Sequence, residues 1–155
     1  MIVGTEWLIE AVGCKVEMLK QESVLRNIFA RIVDDLGLKT IDSVWHTFEG
    51  EGGVTGMIAL TESHLACHTY PEHGTATFNL YCCRTRPEWD WDQHLSEQLG
   101  ATKVFVTKIT RGTESALNQE TFRRLSDFLS WSYCWNTLNR FEDPGCPVPR
   151  SSAAC

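Results

Sequence analysis

Residues 16–36 of the 155-residue chain read Val16-Glu-Met-Leu-Lys-Gln-Glu-Ser-Val-Leu-Arg-Asn-Ile-Phe-Ala-Arg-Ile-Val-Asp-Asp-Leu36. Their apolar positions recur at the spacing of one helix face. These positions are Leu19, Leu25, Ile28, Phe29, Ile32, Val33 and Leu36. Gly37 follows directly, where the end of a helix favours a residue that tolerates positive φ. The stretch therefore predicts a helix over residues 16–36.

Residues 40–48, 54–60 and 75–82 are three segments rich in β-branched or aromatic residues, with turn formers between them. Such segments are typical of strands. Between the first two, Glu49-Gly-Glu-Gly-Gly53 predicts a flexible hairpin connection. Its glycines do not have the spacing of a phosphate-binding loop.

The flanking segments complete the fold prediction. Residues 5–12 and 103–109 have the pattern of strands, and residues 87–99 predict a helix with Pro87 in its first turn and Gly100 at its end. The predicted order is strand, helix, three strands, helix, strand. This order predicts an α+β fold, a two-layer sandwich in which helices pack on one face of a mostly antiparallel sheet.

The residue pattern changes after Gly112, where the alternation typical of strands ends. Residues 119–138 could form an extra C-terminal helix, and the small, proline-rich end of the chain is typical of a mobile tail. We therefore expect a main domain over residues 1–112, a helical extension over residues 113–142 packed on it, and a flexible tail over residues 143–155.

Composition and charge argue against several classes of function. Acidic residues outnumber basic residues by 20 to 14, so no basic face is available for phosphates and we expect no nucleic-acid binding. The apolar runs are short and the first residues lack a basic leader, so we expect neither a membrane span nor a secretion signal. Seven irregularly spaced cysteines are typical of reduced thiols. We expect a cytoplasmic protein.

The densest group of reactive side chains lies in Leu60-Thr-Glu-Ser-His-Leu-Ala-Cys-His-Thr-Tyr-Pro-Glu-His-Gly74. Because buried polar groups need partners, a core strand rarely carries so many of them. The segment is therefore either a solvated connection or a functional site. Its histidines and Cys67 lack the ligand spacing of a zinc finger or of a helical zinc protease, so we expect no metal.

Thr61-Glu-Ser-His-Leu65, followed by His68-Thr-Tyr-Pro-Glu72 and Gly74, resembles the processing segment of the bacterial and archaeal S-adenosylmethionine decarboxylases. The surrounding sequence agrees with the same family at Gly53-Val-Thr-Gly56, Tyr81-Cys-Cys83 and Arg111-Gly112. The resemblance covers about residues 5–112, and this joined motif is far more restrictive than a lone glycine motif.

The resemblance implies a proenzyme that cleaves itself between Glu62 and Ser63. In the family the serine hydroxyl attacks the preceding carbonyl carbon, an ester replaces the peptide bond, and β-elimination leaves a pyruvoyl group, here at position 63. This covalent cofactor would hold S-adenosylmethionine as a Schiff base during decarboxylation and so supply the aminopropyl donor for spermidine synthesis. His68 matches the family's processing base, and Thr55 lies where the family has an assisting serine.

The same resemblance implies substrate-site residues and an oligomeric state. Cys83 matches the proton donor of the reaction, whereas the adjacent Cys82 would point to the opposite face of a strand. Phe48 lies close to the position of a ring that stacks on adenine, Tyr70 replaces a more usual tryptophan, and Glu72 matches the carboxylate that holds the ribose hydroxyls. The small members of the family form homodimers with active sites at the subunit boundary, so residues of both copies are expected to line each pocket.

Two alternative functions remain open. The glycine-rich turn after Phe48 is one residue longer than is common in the family. This turn, Tyr70 and the segment after Gly112 also fit a pyruvoyl-dependent decarboxylase of another amino acid, such as ornithine or arginine. A non-catalytic relative that binds a ligand without cleaving itself would carry the same motif, because a motif reports capability and not occurrence.

Overall fold

The computed structural model describes residues 2–50 and 52–112. In chain order these residues form strand β1 (Gly4–Val12), helices α1 (Val16–Leu19) and α2 (Glu22–Asp35), strands β2 (Thr40–Thr47), β3 (Val54–Leu60), β4 (Ser63–Tyr70) and β5 (Thr75–Cys82), helix α3 (Trp91–Leu99) and strand β6 (Lys103–Arg111). A 3-10 turn over Pro71–His73 connects β4 to β5. The predicted C-terminal helix and tail, in residues 113–142 and 143–155, lie outside the described residues.

The strands form one antiparallel sheet in the order β2-β3-β4-β5-β1-β6. Every second residue of the central strands is buried against the helices, as the alternation in β5 illustrates with Ala76, Phe78 and Leu80. The helices contribute buried residues from their apolar faces, including Leu25 and Phe29 of α2. The predicted two-layer α+β sandwich is confirmed. We call the sheet face opposite the helices the open face.

Strand β4 lies inside residues 60–74, the segment that the sequence predicts to be either a solvated connection or a functional site. It is a central strand, paired with β3 on one side and β5 on the other. Leu65, Cys67 and Thr69 point to the helices and are buried, whereas His64 and His68 alternate with them on the open face. A central strand can carry these polar side chains because, within residues 2–50 and 52–112, the helices bury only one of its faces.

The helices differ from the prediction in two places. The helix expected over residues 16–36 is divided into α1 and α2, because Gln21 is extended, with φ −98° and ψ 105°. Helix α3 begins at Trp91 and not at Pro87, because the Asp90 carboxylate accepts a hydrogen bond from the Gln93 backbone N–H at 3.0 Å and caps the first turn. Gly100 ends α3 with φ +68°, as the sequence predicted.

Within the described part of the chain, no helix is both long enough and apolar enough to cross a membrane.

Candidate active site

Ser63 has an unusual backbone conformation, with φ +149°. Among the described residues it is the only one other than glycine with a positive φ. It begins β4 directly after a tight turn, since Leu60 and Ser63 pair across the β3–β4 hairpin. A non-glycine residue with such a backbone costs about 1–3 kcal/mol and persists only where its surroundings hold it in place. Strain of this kind is concentrated at functional sites.

Glu62, the residue before Ser63, is held through both its backbone and its side chain. Its carbonyl oxygen accepts a hydrogen bond from the Cys83 backbone N–H at 3.0 Å. Its carboxylate is buried and forms a two-pronged ion pair with Arg86, whose Nε donates to Oε2 at 3.1 Å and whose Nη2 donates to Oε1. Arg86 also donates to the Leu36 carbonyl at 3.0 Å. The hydrogen bond from Arg86 holds the pKa of Glu62 below its usual value.

The Ser63 side chain contacts the ring of the next residue. Ser63 Oγ lies 3.2 Å from His64 Nδ1, and His64 Nε2 lies 2.8 Å from Asn79 Oδ1. The sequence motif contains His64 but predicts no role for it beyond the excluded metal site, and Asn79 lies outside the motif. The signal that could have found His64 is its alternation with the buried residues of β4, which places it on the same face as His68. Residues Glu62, Ser63, His64 and Cys83 together are called the Ser63 cluster.

The two adjacent cysteines have opposite environments. Cys82 pairs with Ser63 across the β4–β5 ladder and is completely buried. Burial, together with the nearby charge of Glu62, raises the pKa of the Cys82 thiol to about 11. Cys83 is exposed. The structure thus places Cys82 in the core and leaves Cys83 accessible beside the Glu62 carbonyl.

A second group of predicted residues gathers around His68. His68 Nδ1 lies 2.5 Å from Thr55 Oγ1, its direct partner across the β3–β4 ladder. The His68 ring centre lies 4.5 Å from that of Tyr70 and 5.6 Å from that of Phe48. Glu72 follows in the 3-10 turn directly after β4. We call Phe48, Thr55, His68, Tyr70 and Glu72 the His68 cluster.

The rings of the His68 cluster are accessible to a ligand. Phe48 is 44% exposed and Tyr70 is 36% exposed, although both are large hydrophobic side chains. The Phe48 and His46 rings also form a T-shaped pair, with their centres 4.5 Å apart. The arrangement offers aromatic surfaces and a hydroxyl within one part of the open face, and the Glu72 carboxylate follows in the adjoining turn.

The structure does not bring the two clusters together within one chain. Ser63 and His68 lie at opposite ends of β4, five residues apart in an extended strand. At about 3.3 Å per residue this separation is about 16 Å. His68 therefore cannot reach the Ser63 hydroxyl of its own chain in this conformation.

A groove of about 400 Å³ crosses β1, β5 and β4 on the open face and is lined in part by His68. Its lining includes Leu8, Glu10 and Ala66, together with His68 and Asn79. The remaining lining residues are Ile9, Cys67, Thr77 and Phe78. A mainly apolar groove with a few polar groups is typical of a small-molecule site.

Comparison with known proteins decides the family. The sequence model of the S-adenosylmethionine decarboxylases matches residues 5–112, the part of the chain that forms the sheet and both clusters. The chain belongs to the S-adenosylmethionine decarboxylase family. Proenzymes of this family are pyruvoyl-dependent, and their pyruvoyl group forms from a serine by self-cleavage.

Individual relatives agree with this assignment. The S-adenosylmethionine decarboxylase proenzyme of Moorella thermoacetica is 33% identical over 111 residues, which are 71% of this chain and 88% of that protein. The proenzyme of Archaeoglobus fulgidus is 37% identical over 83 residues, 54% of this chain and 73% of that protein. The crystal structure of the adenosylmethionine decarboxylase of Aquifex aeolicus has a TM-score of 0.61 at 24% identity and covers 74% of this chain and 95% of that one, which shows the same fold. The resemblance seen in the sequence is confirmed.

Proposed function

We propose that this member of the family cleaves itself between Glu62 and Ser63 and that the processed protein decarboxylates S-adenosylmethionine. The observation that carries the proposal is the geometry of this one peptide bond. Ser63 is strained, with φ +149°, while Cys83 and Arg86 hold Glu62 on the other side of the bond. A strained serine beside an anchored carbonyl is suited to an acyl shift.

The residues around the bond supply what an acyl shift needs. As the Ser63 hydroxyl oxygen attacks the Glu62 carbonyl carbon, negative charge develops on the carbonyl oxygen. The Cys83 N–H already donates to that oxygen at 3.0 Å and can stabilise the charge without reorganisation. Breaking the peptide bond also releases the backbone strain at Ser63, which favours the product.

The surroundings of Ser63 also fit a pyruvoyl group made at that position. Ser63 is half-buried and its hydroxyl contacts His64. Cys83, whose backbone N–H donates to the carbonyl of the preceding Glu62, is exposed. When formed, the group supplies a ketone that captures the substrate amine and accepts the electrons released with CO₂. Cys83 is the proposed proton donor, since an accessible thiol can hold and release a proton, whereas Cys82 is sealed in the core.

The His68 cluster has the chemistry to bind the substrate. Exposed rings of Phe48 and Tyr70 provide faces for adenine and for the positively charged sulfonium. The Glu72 carboxylate can accept hydrogen bonds from two neighbouring ribose hydroxyls. The decarboxylated product would be an aminopropyl donor of the kind that spermidine synthesis consumes.

The distance between the clusters supports a dimeric site. Because Ser63 and His68 of one chain are about 16 Å apart along β4, we propose that the His68 cluster of one copy meets the Ser63 cluster of a second copy. The open face has exposed apolar side chains for such a contact, including Leu8, Met57 and Phe105. Thr55 and His68 would then assist cleavage at the partner's Ser63.

Intact mass spectrometry of the purified chain tests self-cleavage. We expect two fragments that separate between Glu62 and Ser63, with the mass of the second fragment corresponding to a pyruvoyl group in place of serine. Ser63→Ala, the matched control, is expected to remain whole because it lacks the nucleophile. A wild-type chain that remains whole after prolonged incubation would favour the non-catalytic alternative.

Release of labelled CO₂ tests the substrate. The processed protein is incubated separately with carboxyl-labelled S-adenosylmethionine, ornithine and arginine. We expect release from S-adenosylmethionine. Release from ornithine or arginine alone would assign the protein to the other decarboxylase class and leave the self-cleavage proposal intact.

Cysteine variants test the proton donor. Cys83→Ser is expected to cleave normally, because the backbone N–H that contacts Glu62 is retained, but to turn over about 100-fold more slowly. Cys82→Ser, the neighbouring control, is expected to lose stability and to keep its turnover. The reverse pattern would move the role to Cys82.

The domain boundaries at residues 112 and 142 remain predictions, as does a cytoplasmic location.

A further inference from the structure

A hydrogen-bonded line of side chains crosses four neighbouring strands on the open face and ends at Ser63. It runs from Ser63 and His64 in β4 to Asn79 in β5, Glu6 in β1 and Arg111 in β6. The strand order places these four strands side by side, and successive members occupy diagonal positions of the ladders. The bonds therefore depend on the register of the whole sheet and not on one local turn.

Glu6, near the far end of this line, determines which atoms donate and which accept in its hydrogen bonds. The Glu6 carboxylate accepts from Asn79 Nδ2 at 2.8 Å and from Arg111 Nη1. Burial raises the pKa of Glu6, but the hydrogen bonds from Asn79 and Arg111 outweigh it and leave that pKa below its usual value. An ionised carboxylate can only accept, so the amide nitrogen of Asn79 must face Glu6 and its oxygen must face His64.

This orientation determines the tautomer of His64. Asn79 Oδ1, at 2.8 Å, requires a proton on His64 Nε2. In the neutral ring the other nitrogen, Nδ1, then has a free lone pair. That lone pair faces the Ser63 hydroxyl at 3.2 Å. A nucleophile, a base and a group that orients the base are thus present in one chain.

We propose that His64 is a catalytic residue of self-cleavage whose Nδ1 accepts the proton of the Ser63 hydroxyl, and that Asn79 and Glu6 are positioning residues that set its tautomer. The inference rests on the proposed self-cleavage. It adds a base that acts within the chain and that is distinct from His68.

The step balances without a further reactant. The Ser63 Oγ–H proton moves to His64 Nδ1 while Oγ bonds to the Glu62 carbonyl carbon. The carbon–nitrogen bond then breaks, and the proton passes from His64 to the departing nitrogen, which becomes an amine. The product is an ester, and His64 is neutral again. A second proton must later leave the Ser63 Cα during elimination. In the proposed scheme, His68 is the base that removes it.

Self-cleavage kinetics of purified precursors, followed by intact mass, test the proposal. His64→Asn keeps a hydrogen-bond acceptor but cannot take the proton, so we expect cleavage to slow about 100-fold. His73→Asn is the control, because His73 is a largely exposed histidine of the same segment. Imidazole added to His64→Ala is expected to restore part of the rate, which a purely structural role would not allow.

The orienting residues are tested separately. Asn79→Leu cannot accept from His64 and is expected to slow cleavage about tenfold, whereas Asn79→Asp keeps the acceptor and is expected to retain more of the rate. Histidine ¹⁵N spectra of the uncleavable Ser63→Ala chain should show His64 protonated at Nε2. The same spectra should lose that preference in Ser63→Ala/Asn79→Leu.

Hydroxylamine, which cleaves esters and not peptide bonds, identifies the blocked step. His64→Asn should release no fragments with it, because the ester has not formed. The inference is overturned if folded His64→Asn cleaves at the wild-type rate, or if it accumulates a hydroxylamine-sensitive ester. A wild-type chain that never cleaves would instead refute the proposed function.

Discussion

The two ends of strand β4 differ in how their side chains are held. At the Ser63 end, Glu62 is buried in an ion pair and Ser63 has a strained backbone. At the other end, His68 lies among rings that solvent reaches, with Tyr70 36% exposed. The Ser63 end holds the peptide bond between Glu62 and Ser63 in place, whereas the His68 end presents aromatic surfaces that a ligand can cover.

This difference separates two requirements of the chemistry. Bond cleavage needs atoms held in a fixed position, so it gains from burial, strain and paired charges. Binding an adenine-containing cation needs accessible aromatic area. Since the two ends are about 16 Å apart, the proposed reaction joins them only when two copies combine.

The largest expected effect comes from His68→Asn. If His68 handles a proton during cleavage, as we propose, the self-cleavage rate should fall about a thousandfold. The melting temperature should change little, because His68 contributes to the open face and not to the core. Intact mass and thermal unfolding measure the two properties on one sample.

His46→Asn is the matched control for that experiment. His46 lies in β2, directly opposite Thr55 of β3, and its ring contacts Phe48 as the His68 ring does. Equal slowing by both variants would mean that the aromatic surroundings matter and the imidazole of His68 does not.

The next largest effect concerns the buried ion pair. In an uncleavable Ser63→Ala background, Arg86→Met leaves the buried Glu62 charge unpaired and should lower the free energy of unfolding by about 3 kcal/mol near neutral pH. Arg31→Met, which removes an exposed pair with Asp35, should cost less than about 0.5 kcal/mol. Urea titrations measure both values.

The sign of the pH dependence follows from Glu62. Arg86 lowers the pKa of Glu62 in the folded chain, so the contribution of the pair is present above the usual glutamate pKa of about 4.3 and is lost as the pH falls through the lower, folded value. The stability difference between the parent and Arg86→Met should therefore shrink in acid. A difference that grows in acid would contradict the ion-pair account.

Much of the fold was predictable because the local patterns agree with the tertiary structure. The apolar period of α2 and the alternation of β5 both correspond to buried faces. Strand β4 was missed because its polar residues were weighed as one group, although they alternate with Leu65, Cys67 and Thr69. Its open-face residues are tolerated because the helices of the described residues pack on the other face.

For the candidate site, the sequence motif proposes residues but not their geometry. The motif singles out Ser63, His68 and Cys83 as candidates, whereas the distances between them depend on the register of β3, β4 and β5. The positive φ of Ser63 and the line from His64 to Glu6 arise from contacts between residues distant in sequence, such as Asn79 with Glu6. No local pattern encodes such contacts.

The smallest expected effect is on substrate affinity. Tyr70→Ala removes one exposed ring of the His68 cluster and should raise KM for S-adenosylmethionine about tenfold, since stacking on a base is worth about 1–3 kcal/mol. Self-cleavage should be nearly unchanged. Tyr81→Ala, at the Ser63 end of the sheet, is a contrasting variant, because its ring packs against His64. It should affect cleavage more than KM.

The central claim is that the Ser63 cluster of one copy and the His68 cluster of another form one site. Co-expression of Ser63→Ala with His68→Ala, each carrying a different tag, tests it most directly. Each variant alone should be inactive. Mixed dimers should contain one complete site of two, so random pairing of equal amounts predicts about one quarter of wild-type activity, with cleavage confined to the His68→Ala chain. Isolated mixed dimers with no cleaved chain and no activity would contradict the claim.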